Sequence, residues 1–289
     1  MDIKQLRYFI AIAEEKNITA AAARLHMSQP PLSMQLKQLE EELGVKLIER
    51  NGKGMELTDK GNVLYKHALL LVNSIQEIKN ELQETEDGKR GVLSVGINTL
   101  SVTGFSEMLQ SFHKKYPLVP LKIVQNDSPR LAGMVKSRAI EIAFVRLAID
   151  HRGLTYHHLI NENFVFVSSK KIQANMISLK EISHMPLIIP SSEGLGIYNT
   201  IFEAFSRQKL QPIIIGECSD MHVLMEMVKG GMGVTIVPKS VLEVYGNSGL
   251  YSTPIRDANL ISSLGVIWLE NHFVSASAKN FIKLVNEYL

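Results

Sequence analysis

The chain begins with apolar residues at Ile3, Leu6, Ile10 and Ala13, the spacing of one face of an amphipathic helix. Asn17, Ile18 and Thr19 break that pattern and supply cap side chains for a second helix over residues 19–25. The alanines at 20–23 favour helix and let a neighbouring helix approach closely. His26 and Met27 make a short turn, and Ser28 caps a third helix with Pro30 and Pro31 in its first turn, where a missing N–H costs little. Along this third helix Leu32, Leu36, Leu39 and Leu43 recur at intervals of 4, 3 and 4, a stripe expected to point into a core. Gln29, Ser33 and Lys37, with Met34 alongside, form a second face near its N-terminus. Two β-prone runs, 45–50 and 55–57, flank the glycine-bearing segment 51–54 and predict a hairpin.

Thr58 caps a long helix reaching to about residue 86. Within it Leu64, Ala68, Leu71, Ile75, Ile78 and Leu82 keep a 4-3-4-3-4 spacing, the mark of a helix that pairs with another, with packing against its own domain as the alternative. At ~1.5 Å per residue such a helix spans roughly 40 Å, on the order of one DNA turn. Residues 84–91 are polar and glycine-bearing and read as a hinge.

From residue 92 strands and helices alternate. Strands are predicted over 92–97, 121–125 and 141–145, with helices near 105–115 and 129–137. A second set has strands at 164–168, 187–189, 213–217 and 234–237, with helices near 196–209 and 221–229. A late strand at 264–269 and a helix over 276–289 follow. Alternation of this kind implies largely parallel sheets, and two sets imply two lobes that bind at the carboxyl ends of their strands.

Composition changes this picture mainly by exclusion. Charged residues at 21% and hydrophobic residues at 45% suit a folded, water-exposed chain. No apolar run reaches the roughly 18 residues a membrane helix needs, and the start does not read as a signal peptide, so a cytoplasmic protein is expected. Cys218 is the only cysteine, which removes intramolecular disulfides and cysteine metal clusters and makes a small core residue its expected role. Neither a G-x-S-x-G nucleophile motif nor a Walker A loop occurs, and Gly230, Gly231 and Gly233 fall short of a dinucleotide fingerprint. Adjacent His157 and His158 on a strand would face opposite sides, as surface groups rather than metal ligands. No enzyme, metal or cofactor is expected. A solute-binding protein would explain two lobes but not the N-terminal helices.

The net charge of +2 points to no partner, but its distribution does. Residues 16–39 contain no Asp or Glu, while Lys16, Arg24 and Lys37 are present, as a phosphate-facing surface requires. A short helix, a tight turn and a helix with a polar N-terminal face form the layout of a DNA-reading helix-turn-helix. Ser28, Gln29, Pro30, Ser33, Met34 and Lys37 are its candidate contacts, with Arg50 and Lys53 of the hairpin suited to the backbone of an adjacent minor groove.

Residues 9–15, 19–33 and 38–50, with Leu57, Thr58 and Gly61, closely resemble the signature of the LysR-type transcriptional regulators. Met34 departs from it, standing where arginine is common, which alters operator preference rather than DNA binding. The second half resembles the family more loosely through 140–144, 187–192, 219–221, 228–234 and 237–238. The resemblance implies a winged helix-turn-helix (1–58), a linker and dimerisation helix with hinge (59–90), and a two-lobed effector domain like a type 2 periplasmic binding protein (91–289). Lobe I is expected over 91–161 and 266–289, and lobe II over 162–265. The overall class is α/β with an all-α-type head.

The partners implied are double-stranded operator DNA, a small-molecule effector and further copies as a homodimer or homotetramer, the resemblance favouring the tetramer; RNA polymerase stands open as another. The effector is expected to be a small carboxylate between the lobes. Residues 98–101, with Thr99, Leu100 and Ser101, and residues 126–129, with Ser128, each end a strand before a helix, and 190–196 do so in the other lobe. Arg146 offers a bidentate clamp or an interlobe ion pair, and Tyr198 a ring to stack on. In the branch of the family that senses aromatic acids, Thr99, Ser128 and Arg146 match positions tied to effector response. Helix capping is the alternative role for Ser128 and Ser191.

Overall fold

The computed structural model describes residues 1–51, 54–83, 88–89, 91–98, 104–190, 196–245, 249–257 and 259–288. The chain forms two compact units, residues 1–83 with 137–139, and residues 84–136 with 140–289.

In the first unit α1 (Ile3–Glu15) starts on a capping box, with Gln5 N donating to Asp2 Oδ1 at 2.7 Å and Asp2 N to Gln5 Oε1 at 3.0 Å. Asn17 caps α2 (Ile18–Arg24) by accepting from Thr19 N and Ala20 N. Helix α3 (Gln29–Leu43) ends at Gly44, whose φ of +66° suits a residue without Cβ. The hairpin of β1 (Ile48–Asn51) and β2 (Gly54–Leu57) follows, and α4 (Asp59–Gln83) leaves it. Leu6, Phe9, Ile12, Ala21, Leu32 and Leu39 are all but sealed from solvent in the shared core. The alanines of α2 do what their size allows: Ala21 and Ala22 are buried against neighbouring helices. The stripe on α3 is less uniform than its spacing predicts. Leu36 is half-buried, and Leu43 is 37% exposed because the core ends before the helix does.

Thr58 works from both ends of its hydroxyl. It accepts from Gly61 N at 2.9 Å, capping α4, and donates to Lys46 O at 2.8 Å, tying α4 to the strand approach. Gly61 admits no side chain, since a Cβ there would lie 2.0 Å from Leu47 O. On α4 the heptad stripe divides. Ala68 is buried in the core of its own unit and Leu64 packs against it, whereas Leu71, Ile78 and Leu82 stand exposed. The N-terminal part of the stripe thus serves the head, and only the distal part is left for a partner helix.

Glu40 is the buried acid of this unit, 8% exposed on α3. Its Oε1 accepts from Leu47 N at 2.8 Å and Ile48 N at 3.3 Å, and Oε2 lies 2.8 Å from Lys46 Nζ. Burial works against the charge, but the Lys46 ammonium and the two N–H groups outweigh it and hold the carboxyl below its ordinary range.

The second unit is a two-lobed α/β domain. Its first lobe has β3 (Leu93–Asn98), α5 (Phe105–Lys115), β4 (Leu121–Asn126), α6 (Ser128–Lys136) and β5 (Ile142–Arg146), with β3 parallel to both β4 and β5. From there β6 (Leu154–Ser168) runs unbroken for 15 residues into the second lobe. That lobe holds β7 (Ile177–Ser178), α7 (Leu179–Ser183), β8 (Pro186–Pro190), α8 (Gly196–Arg207), β9 (Ile213–Cys218), α9 (Met221–Lys229), β10 (Thr235–Pro238), α10 (Lys239–Tyr245) and β11 (Tyr251–Arg256). Strand β12 (Ile261–Leu269) returns, and α11 (Ala276–Tyr288) closes the first lobe.

The sheet order is β4-β3-β5-β12-β6-β11-β7, with β10 also on β6 and a separate β8-β9 pair. Among the described residues, parallel pairing is confined to β4-β3-β5, β7-β11, β8-β9 and one bridge from Leu187 to Val234. The expectation of largely parallel sheets fails at the crossovers. Strands β6 and β12 carry the chain out and back, so they pair antiparallel with each other, with β5 and with β10 and β11. Strand 164–168, expected to open the second lobe independently, is the far end of β6. Phe281 of α11 centres the first lobe's core through edge-on contacts with Phe105, Phe112 and Phe144. In the second lobe Cys218 is half-buried and packs against the core.

Glu40→Ala orphans two buried N–H groups, and amide exchange at Leu47 and Ile48 should speed up about tenfold or more. Glu40→Gln keeps an acceptor and should lie between. With the folded carboxyl below its unfolded value, its stabilisation is complete above the ordinary glutamate range of about 4.3 and fades as pH falls through the folded value. Wild-type exchange should therefore approach that of Glu40→Gln as pH falls below the ordinary glutamate range and through the folded value. Unchanged exchange in the alanine protein at neutral pH would show that Glu40 does not hold the hairpin.

Candidate functional site

The face of α3 takes shape from its first turn. Ser28 has N-cap geometry, yet its hydroxyl makes no cap hydrogen bond, so the exposed side chain is left to an outside acceptor or donor. Gln29 Nε2 donates to Ser33 Oγ at 2.6 Å, which orients both across one turn. Pro30 is exposed, and Met34 is 61% exposed, an apolar group that nothing in the head covers. Lys37 lies 3.5 Å from Glu41 in an exposed i,i+4 pair. Ser28 and residues Gln29, Ser33, Met34 and Lys37 thus share one accessible surface. Arg50 lies on β1 opposite Met55; Lys53 and the side chain of Arg50 lie outside the described residues.

The stretch 16–39 is free of acids in sequence but not in space. Arg24 pairs with Glu14 at 2.6 Å and Glu15 at 3.1 Å, both contributed by the end of α1. Those carboxylates raise the Arg24 guanidinium above its usual value. Arg24 is therefore compensated within the head.

In the effector domain the structure brings together Ser128, Asn98 and Arg146. Ser128 begins α6, and its hydroxyl accepts from Asn98 Nδ2 at 2.6 Å and from Arg146 N at 3.0 Å. The cap of α6 is Asp127, which accepts from Arg130 N at 2.8 Å, so Ser128 is not a capping residue. Thr99, Leu100, Ser101, Ser191, Ser192 and Gly194 lie outside the described residues. Tyr198 is half-buried in lobe II and stacks on Phe202 with centroids 4.5 Å apart, which occupies one face of its ring.

Arg146 ends β5 and is 5% exposed. Its Nη1 pairs with Glu162 of β6 and donates to Ser262 Oγ of β12 at 3.1 Å, and Nη2 donates to Ser240 Oγ of α10 at 3.3 Å. Glu162 in turn accepts from Ser240 N at 2.9 Å and Ser240 Oγ at 3.0 Å, so it also sits at the N-terminus of α10. Burial pushes the guanidinium down and the charge of Glu162 pushes it back up; burial prevails. Of the two roles open to Arg146, this is the interlobe ion pair. Sequence reasoning passed over Glu162, Ser240 and Ser262. An acid within an otherwise strand-forming run was the available signal for Glu162; nothing local marked the two serines.

A winged helix-turn-helix joined to a two-lobed domain with a polar cluster at its crossover defines a DNA-binding regulator with a small-molecule sensor. Residues 3–62 match the bacterial regulatory helix-turn-helix protein, lysR family, and residues 86–289 match the LysR substrate binding domain. The chain belongs to the LysR family of transcriptional regulators, and is not an enzyme. It is 34% identical over 289 residues to the HTH-type transcriptional regulator BsdA of Bacillus subtilis (strain 168), covering 98% of this chain and 100% of that one. Among solved structures it resembles CbnR, a LysR family transcriptional regulator, at a TM-score of 0.75 and 23% identity over 99% of both chains. Full-length CbnR complexed with its target DNA superposes with a TM-score of 0.74 at 23% identity over 100% of both. No helix among the described residues is long and apolar enough to cross a membrane.

Glu162→Gln leaves Arg146 buried without its counter-charge and should cost the effector domain about 3–5 kcal/mol. Replacing both partners by methionine should recover most of that loss, since two buried charges are then removed together. Trp268 of β12 is the only tryptophan, so its fluorescence in urea reports this domain alone. A Glu162→Gln loss below about 1 kcal/mol, the size of an exposed pair, would refute the buried coupling.

Proposed function

We propose that the chain reads its operator with Ser28, Gln29, Pro30, Ser33, Met34 and Lys37 of the α3 face, the hairpin residues Arg50 and Lys53 adding backbone contacts. Exposed Met34 supports the reading: in place of a guanidinium it offers an apolar surface to a thymine methyl. Lys37→Ala should weaken binding on every sequence and lower the salt slope by about one phosphate contact. Gln29→Ala should relax discrimination at one base pair by roughly 1–3 kcal/mol. Competition gel shifts across a salt series check both, and an unchanged Gln29→Ala/Ser33→Ala protein would remove the face from the interface. Leu71, Ile78 and Leu82 supply the seam through which two copies pair along α4.

The effector in this reading is a small carboxylate held between the lobes by Thr99, Leu100, Ser101, Ser128, Arg146 and Tyr198. The observation that carries it is the Ser128 hydroxyl. Two N–H groups already donate to this oxygen, which leaves its own proton to give to an acceptor, at the first residue of a helix whose N-terminal dipole favours negative charge. Arg146 donates its backbone N–H to that oxygen, and its guanidinium already binds one carboxylate, that of Glu162, with which an incoming carboxylate would compete. Thermal-shift screening with small aromatic and aliphatic carboxylates beside their neutral amides tests the class. A carboxylate should raise the transition by mass action while its amide does not. Ser128→Ala should then weaken that ligand about tenfold, the worth of a hydrogen bond to a charged group. Equal shifts from acid and amide would eliminate the carboxylate.

A further inference from the structure

We infer that Tyr65 is a positioning residue that fixes the reading head on the dimerisation helix and so sets the half-site separation the dimer accepts. The inference rests on the reading above that α4 carries the dimer seam. Its basis is a junction at the C-terminal end of α1. Tyr65, half-buried on α4, donates its hydroxyl to Glu14 Oε1 at 3.1 Å. The second oxygen of Glu14 lies 2.6 Å from Arg24 Nη1 at the end of α2, and the same nitrogen donates to Glu15 Oε1 at 3.1 Å. One residue further, Lys16 ends α1 in the left-handed region at φ +50°, and its carbonyl accepts from Met55 N of the wing at 3.0 Å. Residues 14–16 therefore hold α4, α2 and the hairpin at one point.

The apolar contacts between α1 and α4 set how close the two helices lie, but dispersion is non-directional and tolerates rotation. The phenol-to-carboxylate bond is directional and charge-assisted. Two turns beyond the Thr58 tie at the start of α4, it is the directional contact that resists a turn of the head about that helix. Burial and the charge of Glu14 push the Tyr65 hydroxyl up to about 12, so it remains a donor throughout the working pH range. The ion pair of Arg24 is substantially exposed and contributes little to stability. Its geometry carries the carboxylate's position on to α2, the helix that precedes the reading helix. Because DNA rises about 3.4 Å per base pair, a head displaced by that distance favours a site longer or shorter by one pair.

The test uses full-length protein and the DNA upstream of its own gene that the wild-type protein footprints. That segment is prepared with one or two base pairs inserted or deleted at its centre, and as a single half-site. Tyr65→Phe should remain a dimer by sedimentation and bind the single half-site within about twofold of wild type. Its preference for the natural spacing over spacings one pair away should fall about fivefold. Glu14→Gln should act in the same direction, and the double variant should do no more than either single one, because both cut the same tie. An unchanged spacing profile in Tyr65→Phe would overturn the inference. So would an Arg24→Gln protein whose half-site affinity and salt slope both drop by one phosphate contact, since Arg24 would then belong to the DNA interface. A Leu71→Asp protein that stays dimeric removes the seam itself, a failure separate from that of the tie.

Discussion

A carboxylate taken out of water must be met by a counter-charge and by N–H donors, and both units of this chain are organised around that constraint. In the head, Glu40 reaches from the reading helix to Lys46 and to the backbone of Leu47 and Ile48. In the effector domain, Glu162 reaches from a crossover strand to Arg146 and to the N-terminus of α10. Each acid joins elements that hydrophobic packing alone would leave free to slide, since apolar burial fixes distance better than register. The reading helix keeps its wing for this reason, and two lobes with largely separate cores keep a common polar joint.

The two joints differ in what they permit. Glu40 is matched by two backbone N–H groups that have no other partner to turn to, so losing the acid leaves them orphaned. The partners of Glu162 are the Arg146 guanidinium, the Ser240 hydroxyl and one helix terminus. The first arrangement suits a rigid reading surface. The second suits a joint whose side-chain partners can be exchanged, which is what the proposed carboxylate effector would require, at the strands that the two lobes share.

How much of this could be read from the sequence depended on whether the signal was local. Helix α5 occupies residues 105–115 as its pattern predicts, because an amphipathic face repeats within the segment itself. The alanines of α2 were equally plain, since size belongs to single residues. The polar face of α3 was legible for the same reason. What failed was non-local. Leu43 keeps the helical spacing but lies beyond the core, and Leu64 and Ala68 share a heptad with Leu71 while serving a different partner. The long strand β6 looked like separate pieces because its centre is polar where it passes between lobes. Glu40 is one of three consecutive glutamates that nothing local tells apart, and only folding singles it out. The ion pair of Arg146 was one of two roles left open, since its partner is set by the crossover and not by spacing.

The charge pattern of the head shows the same limit with a functional consequence. A stretch without acids suggested a bare basic surface, yet Arg24 is held by Glu14 and Glu15, and Lys37 by Glu41. These pairs are exposed and individually weak, so a phosphate can displace the carboxylate at Lys37 for a small cost. Arg24 is different, because Glu14, one of its two acids, also accepts from Tyr65, and drawing it towards DNA would disturb that contact between the head and α4. In the proposed reading, electrostatic attraction to the duplex and orientation of the two heads draw on neighbouring residues without sharing them: Lys37 exchanges partners, while Arg24 is kept for alignment. A head that spent both cations on phosphate would bind any duplex more tightly and hold its half-site spacing less well.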